Sequence, residues 1–381
     1  MPKSRITWSA IWFVIVASIL GAIVERATQK VADRLEERFG YVPDPVATRR
    51  FLDELGENKY FAQAAPEAME KAEEVDTFLY RAMEKAHVAR YGKPYVVGRQ
   101  EIGDCISWGA ATGVYCAESL DWELGKLEQA PLLPCTEAIY GGSRVEARSR
   151  PGDGLSPVGG WSDGSTGSAA AKWLRDWGVI YREHYGDLDL STYSGSRAKQ
   201  WGAYGCGGQN DGGKLDAVAK EHPCKHVVAV RTWDELVGAI TSGFPVTIAS
   251  SVGFNTQTDT DGFLRAETVW QHQMVILGLR FAKNSKSANP RDGALVMNSW
   301  GPSWLTYAGK YPADQPAGSF WATRATIENI LSQGDCWAIG SVDGFGWRDI
   351  SHGEWLMPAP QAKLHKPSNA SLIADTFKLG L

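Results

Sequence analysis

Hydrophobic positions change their spacing along the chain, from a helical period in the first part to a strand-like pattern in the second. Apolar residues recur at helical spacing from Cys105 to Leu120, and a second helix is predicted over 168–178. A third helix should begin at Thr232, a favourable N-cap residue. Five short apolar runs typical of strands follow: PVTIASSV, HQMVILGLRF, GALVMNSW, GSFWATR and CWAIGSV. Helices followed by strands predict an α+β fold.

The N-terminus has a different pattern. Ile6 to Val24 form an uncharged stretch just long enough to cross the hydrocarbon core of a bilayer. No clear signal-peptide cleavage site follows, so we predict an uncleaved single-pass membrane anchor over 1–24. Basic residues flank both sides and do not fix the orientation. We expect the folded domain on the extracytoplasmic side, with secretion after signal cleavage as the alternative.

Capping signals divide the rest of the chain. Asp44-Pro45 is predicted to open a helix that ends at Gly56, and Pro66 a longer helix that ends at Gly92. We expect 25–92 to be a helical spacer or an inhibitory pro-segment-like region. Glycine-rich loops between short apolar runs then indicate a folded domain over 93–350. The proline-containing residues 351–381 are predicted to be an extended C-terminal tail.

Composition narrows the classes of function. The 381 residues carry a net charge of -5, which gives no basic surface for nucleic acid. Six cysteines form no CxxC pair, and disulfides Cys116–Cys135 and Cys206–Cys224 are possible in an oxidising compartment. A zinc set of His222, Cys224 and His226 with Cys206 fits no standard spacing. We therefore expect no metal and no cofactor.

Cys105 is the first candidate for chemistry because it lies at a helix N-terminus, where the helix dipole favours a thiolate nucleophile. Alone this is weak, since buried cysteines usually only pack. His272 begins one apolar strand and Asn298 ends the next. Adjacent antiparallel strands can bring these side chains together, so that imidazole deprotonates Cys105 while the carboxamide orients the imidazole.

Several motifs resemble the papain-like cysteine peptidases in their order along the chain. VGRQEIGDCISW is similar to the family's glutamine-to-cysteine signature, WQHQMVILGLR to its histidine strand and MNSWGPSW to its asparagine-tryptophan turn. GSTGSAAAKWLRDWGVIYREHYG resembles the segment with the substrate-binding glycine wall. The likeness extends from about Pro94 to Val342. It implies a two-lobe fold, with the cysteine on a helical lobe and the histidine and asparagine on an antiparallel β lobe.

The resemblance also implies roles for single residues. It makes Cys105 the nucleophile, His272 the general base and acid, and Asn298 the residue that orients His272. Gln100 would donate to the oxyanion together with the backbone N–H of Cys105, and Trp300 would shield the histidine–asparagine bond from water. Asp163, Gly164 and Ser165 align with the substrate-binding wall, and Gln273 with a position near the main specificity pocket, where a polar residue would disfavour large aliphatic side chains.

The implied activity is endopeptidase cleavage of proteins or peptides through a cysteine thioester acyl-enzyme. Two departures from the family pattern leave alternatives open. Five positions separate Gln100 from Cys105 where the family normally has six, and Ile102 stands where relatives often have a cysteine. One alternative is a degenerate relative with a structural or adhesion role. Another is a different Cys–His hydrolase or acyltransferase, such as an amidase or a transglutaminase-like enzyme.

Overall fold

A computed structural model describes residues 38–147, 162–224 and 226–340, together with Phe345, Arg348 and Ile350. The anchor predicted over 1–24 and the tail predicted over 351–381 lie outside these residues. Within the described ranges, no helix has both the length and the apolar character needed to cross a membrane.

The helical elements lie mainly in the first two thirds of the chain. The helices are α1 (Pro45–Glu54), α2 (Phe61–Ala64), α3 (Pro66–Glu70), α4 (Tyr80–Tyr91), α5 (Cys105–Glu123), α6 (Thr136–Arg144), α7 (Gly167–Asp176), α8 (Gly195–Tyr204), α9 (Lys214–Ala219), α10 (Trp233–Thr241) and α11 (Arg324–Ser332). The helices predicted from Cys105, over 168–178 and after Thr232 are confirmed as α5, α7 and α10. Thr232 caps α10 by accepting the backbone N–H of Glu235.

The strands form one large antiparallel sheet and a small hairpin. The strands are β1 (Thr77–Phe78), β2 (His184–Tyr185), β3 (Leu188–Asp189), β4 (Val227–Ala229), β5 (Val246–Phe254), β6 (Ala266–Arg280), β7 (Gly293–Met297), β8 (Ser319–Thr323) and β9 (Asp335–Ile339). In the described residues the large sheet has the order β4-β9-β5-β6-β7-β8, with β1 added to β6. The five predicted runs correspond to β5 to β9, so the α+β prediction is confirmed.

Helix α5 packs between a helical core and the core of the sheet. Its two interior glycines allow this close approach. A Cβ atom on Gly109 would lie 3.0 Å from Gln273 Cγ on β6, and one on Gly113 would lie 2.6 Å from Ile339 Cδ1 on β9. Larger residues at these positions would push the helix away from the sheet. Cys105 at the start of α5 therefore faces β6.

The region before residue 93 differs from the prediction of one long helix after Pro66. That prediction is wrong, because α3 ends at Glu70 and the chain extends into β1, which pairs Thr77 with Leu279 of β6. The backbone N–H of Leu79 donates to Leu277 O at 2.8 Å. Sheet pairing and complete burial of Phe78 outweigh the local helical pattern. The cap predicted at Gly92 is confirmed, with a left-handed φ of 67°.

The helices before residue 93 are packed into the rest of the molecule. Phe61 and Phe78 are fully buried in the same core cluster as the large sheet. On α1, the hydroxyl of Thr48 lies 3.1 Å from that of Ser168 on α7, and the ring of Phe51 lies 4.9 Å from Trp337 on β9. The Asp44 carboxylate caps α1 by accepting the Ala47 N–H at 2.8 Å, as predicted.

Candidate active site

The cysteine is the first residue of α5 and is fully buried. Its sulfur accepts the backbone N–H of Gln273 at 3.4 Å. Gln273 is the residue after His272 on β6, so the helix start and the histidine strand are in direct contact. The structure thus brings together two segments that are far apart in sequence.

His272 and Asn298 meet across the neighbouring strands β6 and β7. His272 Nε2 and Asn298 Oδ1 are 2.8 Å apart, and the same oxygen accepts the backbone N–H of Ser299 at 2.7 Å. Because Asn298 Oδ1 acts as an acceptor, the proton of the neutral imidazole belongs on Nε2. His272 Nδ1 then carries a free lone pair, and it has no hydrogen-bond partner.

Aromatic side chains cover the histidine–asparagine pair. The ring of Trp300 lies 4.9 Å from that of His272, and Trp270 lies 4.8 Å from Trp300. Phe39 packs edge-on against His272 at 6.1 Å and against Trp300 at 5.7 Å. Trp300 is only 4% exposed. Water is therefore kept away from the hydrogen bond between His272 and Asn298, which strengthens it.

Gln100 is buried, with its side-chain amide directed at backbone carbonyls. Its Nε2 donates to Arg38 O and to Ile102 O, both at 2.8 Å. Its Oε1 accepts the hydroxyl of Ser299 at 2.5 Å, which fixes the orientation of the amide. The loop that is one residue shorter than in the family therefore still directs a donor toward a carbonyl oxygen from a distant segment.

Residues 38–42 lie along this site and form an isolated bridge at Tyr41. Ser165 N donates to Gly40 O at 2.8 Å, and Val42 N donates to Ser165 O at 2.8 Å, which makes a parallel bridge between Tyr41 and Ser165. On the other side, Tyr41 N donates to Gln271 O at 3.0 Å. The segment is thus held from both lobes.

Close packing fixes this segment at Gly40. A Cβ atom there would lie 1.8 Å from Gly103 O, so no larger residue fits without a shift of the backbone. Of the three wall residues predicted to bind substrate backbone, Ser165 makes both main-chain bonds to the segment. Gly164 adopts a φ of 120° and donates to the Tyr140 hydroxyl at 2.8 Å, while Asp163 lies against Gly103.

The side chain of Tyr41 reaches a buried acid that sequence reasoning missed. Tyr41 is 6% exposed, and burial together with the negative charge of Asp335 raises its pKa. Asp335 accepts the Gly167 N–H at 2.9 Å, and burial raises its pKa to about 6. In the sequence, Asp335 is recognisable only as the start of a strand. Tyr41 and Asp335 are separated by most of the chain, so no local pattern indicates their contact.

The side chain of Gln273 connects β6 to helix α5. It is 1% exposed, and Nε2 donates to Ile106 O at 2.9 Å. Gln273 therefore ties β6 to the helix that carries the cysteine. Its place near the main specificity pocket stays a prediction.

Burial sets the protonation of the cysteine and the histidine. It raises the pKa of the Cys105 thiol to about 12, although backbone N–H groups of Gln273 and Gly40 oppose the rise. Burial also lowers the pKa of His272 to about 4, although the hydrogen bond that His272 donates to Asn298 opposes this shift. Both groups are neutral near pH 7, and no hydrogen bond joins Cys105 to His272 Nδ1.

The other cysteines are not part of this site. All six cysteines are free thiols, so the possible disulfides Cys116–Cys135 and Cys206–Cys224 are wrong. Cys224 donates its thiol proton to Gly340 O at 3.1 Å. Across the described part of the chain, no group of three or more His, Cys, Asp and Glu side chains could hold a metal ion.

Known structures share this architecture. No protein-family model matches the sequence, and the search of curated proteins gave no match. Xylellain, a cysteine protease from Xylella fastidiosa, has a TM-score of 0.50 at 16% identity, covering 81% of this chain and 98% of xylellain. Procathepsin L 3 from Tenebrio molitor larval midgut has a TM-score of 0.46 at 14% identity, covering 89% of this chain and 95% of its own. The fold of this chain is that of the papain-like cysteine peptidases.

Proposed function

We propose that the protein is a cysteine endopeptidase in which Cys105 is the nucleophile, His272 the general base and acid, and Asn298 the residue that orients His272. The observation that carries the proposal is the hydrogen bond of 2.8 Å between His272 and Asn298. Gln273, the residue after His272 on β6, donates its backbone N–H to the Cys105 sulfur at 3.4 Å. The papain-like fold supports the same reaction class.

The proposed reaction follows from these positions. His272 Nδ1 takes the thiol proton, and the Cys105 sulfur attacks the carbonyl carbon of a peptide bond. Gln100 Nε2 and the backbone N–H of Cys105 stabilise the oxyanion that forms. The imidazolium then gives its proton to the leaving amine, which breaks the C–N bond and leaves a thioester on Cys105. His272 then takes a proton from water, whose oxygen attacks the thioester carbonyl carbon. The C–S bond breaks, the acyl group leaves as the carboxylic acid, and the imidazolium returns a proton to the Cys105 sulfur.

Substrate binding is proposed to use the same groups that now hold residues 38–42. Ser165 offers a main-chain N–H and a carbonyl, and Gln271 offers a carbonyl on the opposite side. Two edges of this kind suit an extended peptide, whose backbone pairs with both. Asp163 and Gly164 are proposed to shape the wall beside Ser165. Trp300 is proposed to keep water from the histidine–asparagine bond.

We further propose that residues 38–42 hold the enzyme in a latent form. The carbonyl of Arg38 accepts from Gln100, and Gly40 contacts the Cys105 thiol, so the groups needed for catalysis are engaged. Within the region 25–92, we propose that residues 38–42 are the inhibitory part. Because α1 to α4 contribute to the two cores, we assign residues 45–92 to the peptidase domain together with 93–350.

The test is labelling of Cys105 by a peptidyl electrophile that reacts with thiols. We expect slow labelling of the full chain and stoichiometric labelling of a chain that begins at Pro43, with the adduct mapped to Cys105 by mass spectrometry. The same shortened chain should cleave a fluorogenic peptide, whereas Cys105→Ala should not. A shortened, folded chain whose Cys105 ignores the reagent would contradict the proposal.

We also propose that Ile6–Val24 anchors the enzyme in a membrane, with the peptidase domain on the extracytoplasmic side. The support is the uncharged length of this stretch. Alkaline carbonate extraction should leave the full chain in the membrane pellet. Release of the intact chain into the supernatant would contradict an anchor.

A further inference from the structure

A cavity of about 380 Å³ lies against the C-terminal half of α5, away from Cys105. Helix α5 forms one wall, and segments 179–183 and 221–224 and the end of β9 form the others. At about 1.5 Å per residue, the helix separates Glu118 in this wall from Cys105 by about 20 Å. The cavity is therefore separate from the peptide cleft, and its size is within the range of small-molecule sites.

The cavity has apolar walls and an acidic polar part. Val114, Leu127, Leu132, Val179 and Ile339 supply apolar surface. Among the described residues of the lining, three carry a carboxyl group and His222 carries an imidazole. The three are Glu118, Glu183 and Glu221. The described lining therefore presents carboxyl groups, and no lysine or arginine, to a ligand.

Glu118 has a specific deficit in its hydrogen bonding. One carboxyl oxygen accepts the Tyr181 hydroxyl at 2.5 Å, and the other is buried without a partner. Buried carboxyl oxygens almost always have a donor, and a charged one needs compensation. The neighbouring groups supply none, since Cys224 directs its proton to Gly340 O.

We propose that this cavity binds a small organic cation, a molecule with an apolar body of phenylalkyl size and one ammonium group that donates to Glu118. The apolar walls would bury the body, and the ammonium would supply the hydrogen-bond donor that Glu118 Oε2 lacks and a positive charge that the described lining residues do not provide. This site is independent of the proposed peptidase activity, since binding can be measured without turnover.

The charge of Glu118 gives a second consequence. Burial raises the pKa of this carboxyl to about 8, so it is mainly protonated at pH 7. A bound ammonium would favour the carboxylate, and binding at pH 7 should release close to one proton. The titratable groups that act on Glu118 are Tyr181, whose hydroxyl donates to it, Asp121 on the same helix, and Cys224. The described lining also contains the titratable side chains of Glu183, Glu221 and His222.

Calorimetric titration of the full chain with 3-phenylpropylamine and with its neutral analogue 3-phenylpropan-1-ol tests the proposal. We expect the amine to bind at least about tenfold more tightly than the alcohol, as a charge-assisted hydrogen bond would give. Repeating the titration in buffers of different ionisation enthalpy should reveal the released proton.

Two variants complete the test. Glu118→Gln keeps the shape of the side chain and should abolish the preference for the amine, while Glu221→Gln, at an exposed position of the rim, should retain it. Equal affinities of amine and alcohol in the natural chain, or binding of neither, would overturn the proposal without reference to any variant. An unchanged preference in a folded Glu118→Gln chain would overturn it as well.

Discussion

The two sides of the active site differ in where their polar groups find partners. On the β-sheet side, His272, Asn298 and Ser299 bond to one another within adjacent strands and are covered by Trp300. On the helix side, Gln100 and Ser165 donate hydrogen bonds to backbone carbonyls of residues 38–42. The His272–Asn298 bond on the sheet side does not involve residues 38–42, whereas Gln100 and Ser165 on the helix side are bonded to them. We infer that displacing one short segment, without rebuilding either strand, would free the site.

Gln100 contacts both sides, so its removal should have the largest effect. In the chain that begins at Pro43, Gln100→Ala should lower kcat for a peptide by about 10²–10³, the usual effect of losing one oxyanion donor. Alkylation of Cys105 by iodoacetamide should be nearly unchanged, because that reaction forms no oxyanion. Both rates are measured on the same preparation.

Ser299→Ala provides the matched control for this prediction. It removes the hydroxyl that holds Gln100 Oε1 but keeps the amide donor. We expect a loss of kcat clearly smaller than that of Gln100→Ala. Equal kcat for the natural and Gln100→Ala chains would mean that another group stabilises the oxyanion.

The buried imidazole on the sheet side should make stability depend on pH. Burial lowers the pKa of His272 from an ordinary 6.5 to about 4. Between pH 4 and 6.5 the imidazole is therefore protonated in the unfolded chain and neutral in the folded chain. The free energy of unfolding should therefore fall as pH falls from 6.5 to 4, by about 3 kcal/mol from this group. Urea unfolding at several pH values measures it.

Other carboxyl groups also titrate in this window, so the comparison is with His272→Gln. The variant has no imidazole, and its stability should fall less steeply between pH 6.5 and 4. Parallel curves for the two chains would show that His272 takes up its proton in the folded state as readily as in the unfolded one.

On the helix side, Gly40→Ala should displace the segment. Its Cβ would lie 1.8 Å from Gly103 O, which the segment can avoid only by leaving its place. We expect iodoacetamide to alkylate Cys105 of the full chain about tenfold faster than in the natural sequence. Val46→Ala, at a residue 69% exposed on α1, is the control and should react at the natural rate.

If iodoacetamide alkylates Cys105 in Gly40→Ala no faster than in the unchanged full chain, the proposal that residues 38–42 block the thiol is contradicted. A raised rate with no gain in peptide turnover would point to a site that opens but does not act as a peptidase. The two readouts therefore separate latency from function.

Elements with strong local signals could be predicted from the sequence. The helix start at Cys105 and the strands that carry His272 and Asn298 each have a clear hydrophobic period and a turn or cap beside them. The sequence predicted that these two strands could be adjacent and antiparallel, and β6 and β7 pair in this way. Local pattern and final fold agree in these elements.

The segment at 38–42 could not be predicted in the same way. Its partners Ser165 and Gln271 lie far along the chain, and Phe39-Gly40-Tyr41 has no period of its own. Strand β1 was missed for a related reason, since its backbone pairs with β6 and overrides a helical pattern. Long-range pairing decides both regions, and it leaves little trace in nearby residues.

Replacing Gln273 should have the smallest effect on stability of the changes considered, and this residue connects the two sides. It follows His272 on the sheet side, yet its side chain bonds to Ile106 O on the helix. Its other amide atom, Oε1, is buried without a partner, which offsets part of the gain. Gln273→Met keeps the volume and removes both polar atoms, so stability should change by only about 1 kcal/mol. Because the side chain is buried and bonded to α5, we expect the cleavage preferences of the chain that begins at Pro43 to stay the same in a peptide library. A changed preference at constant stability would instead place Gln273 in the specificity pocket.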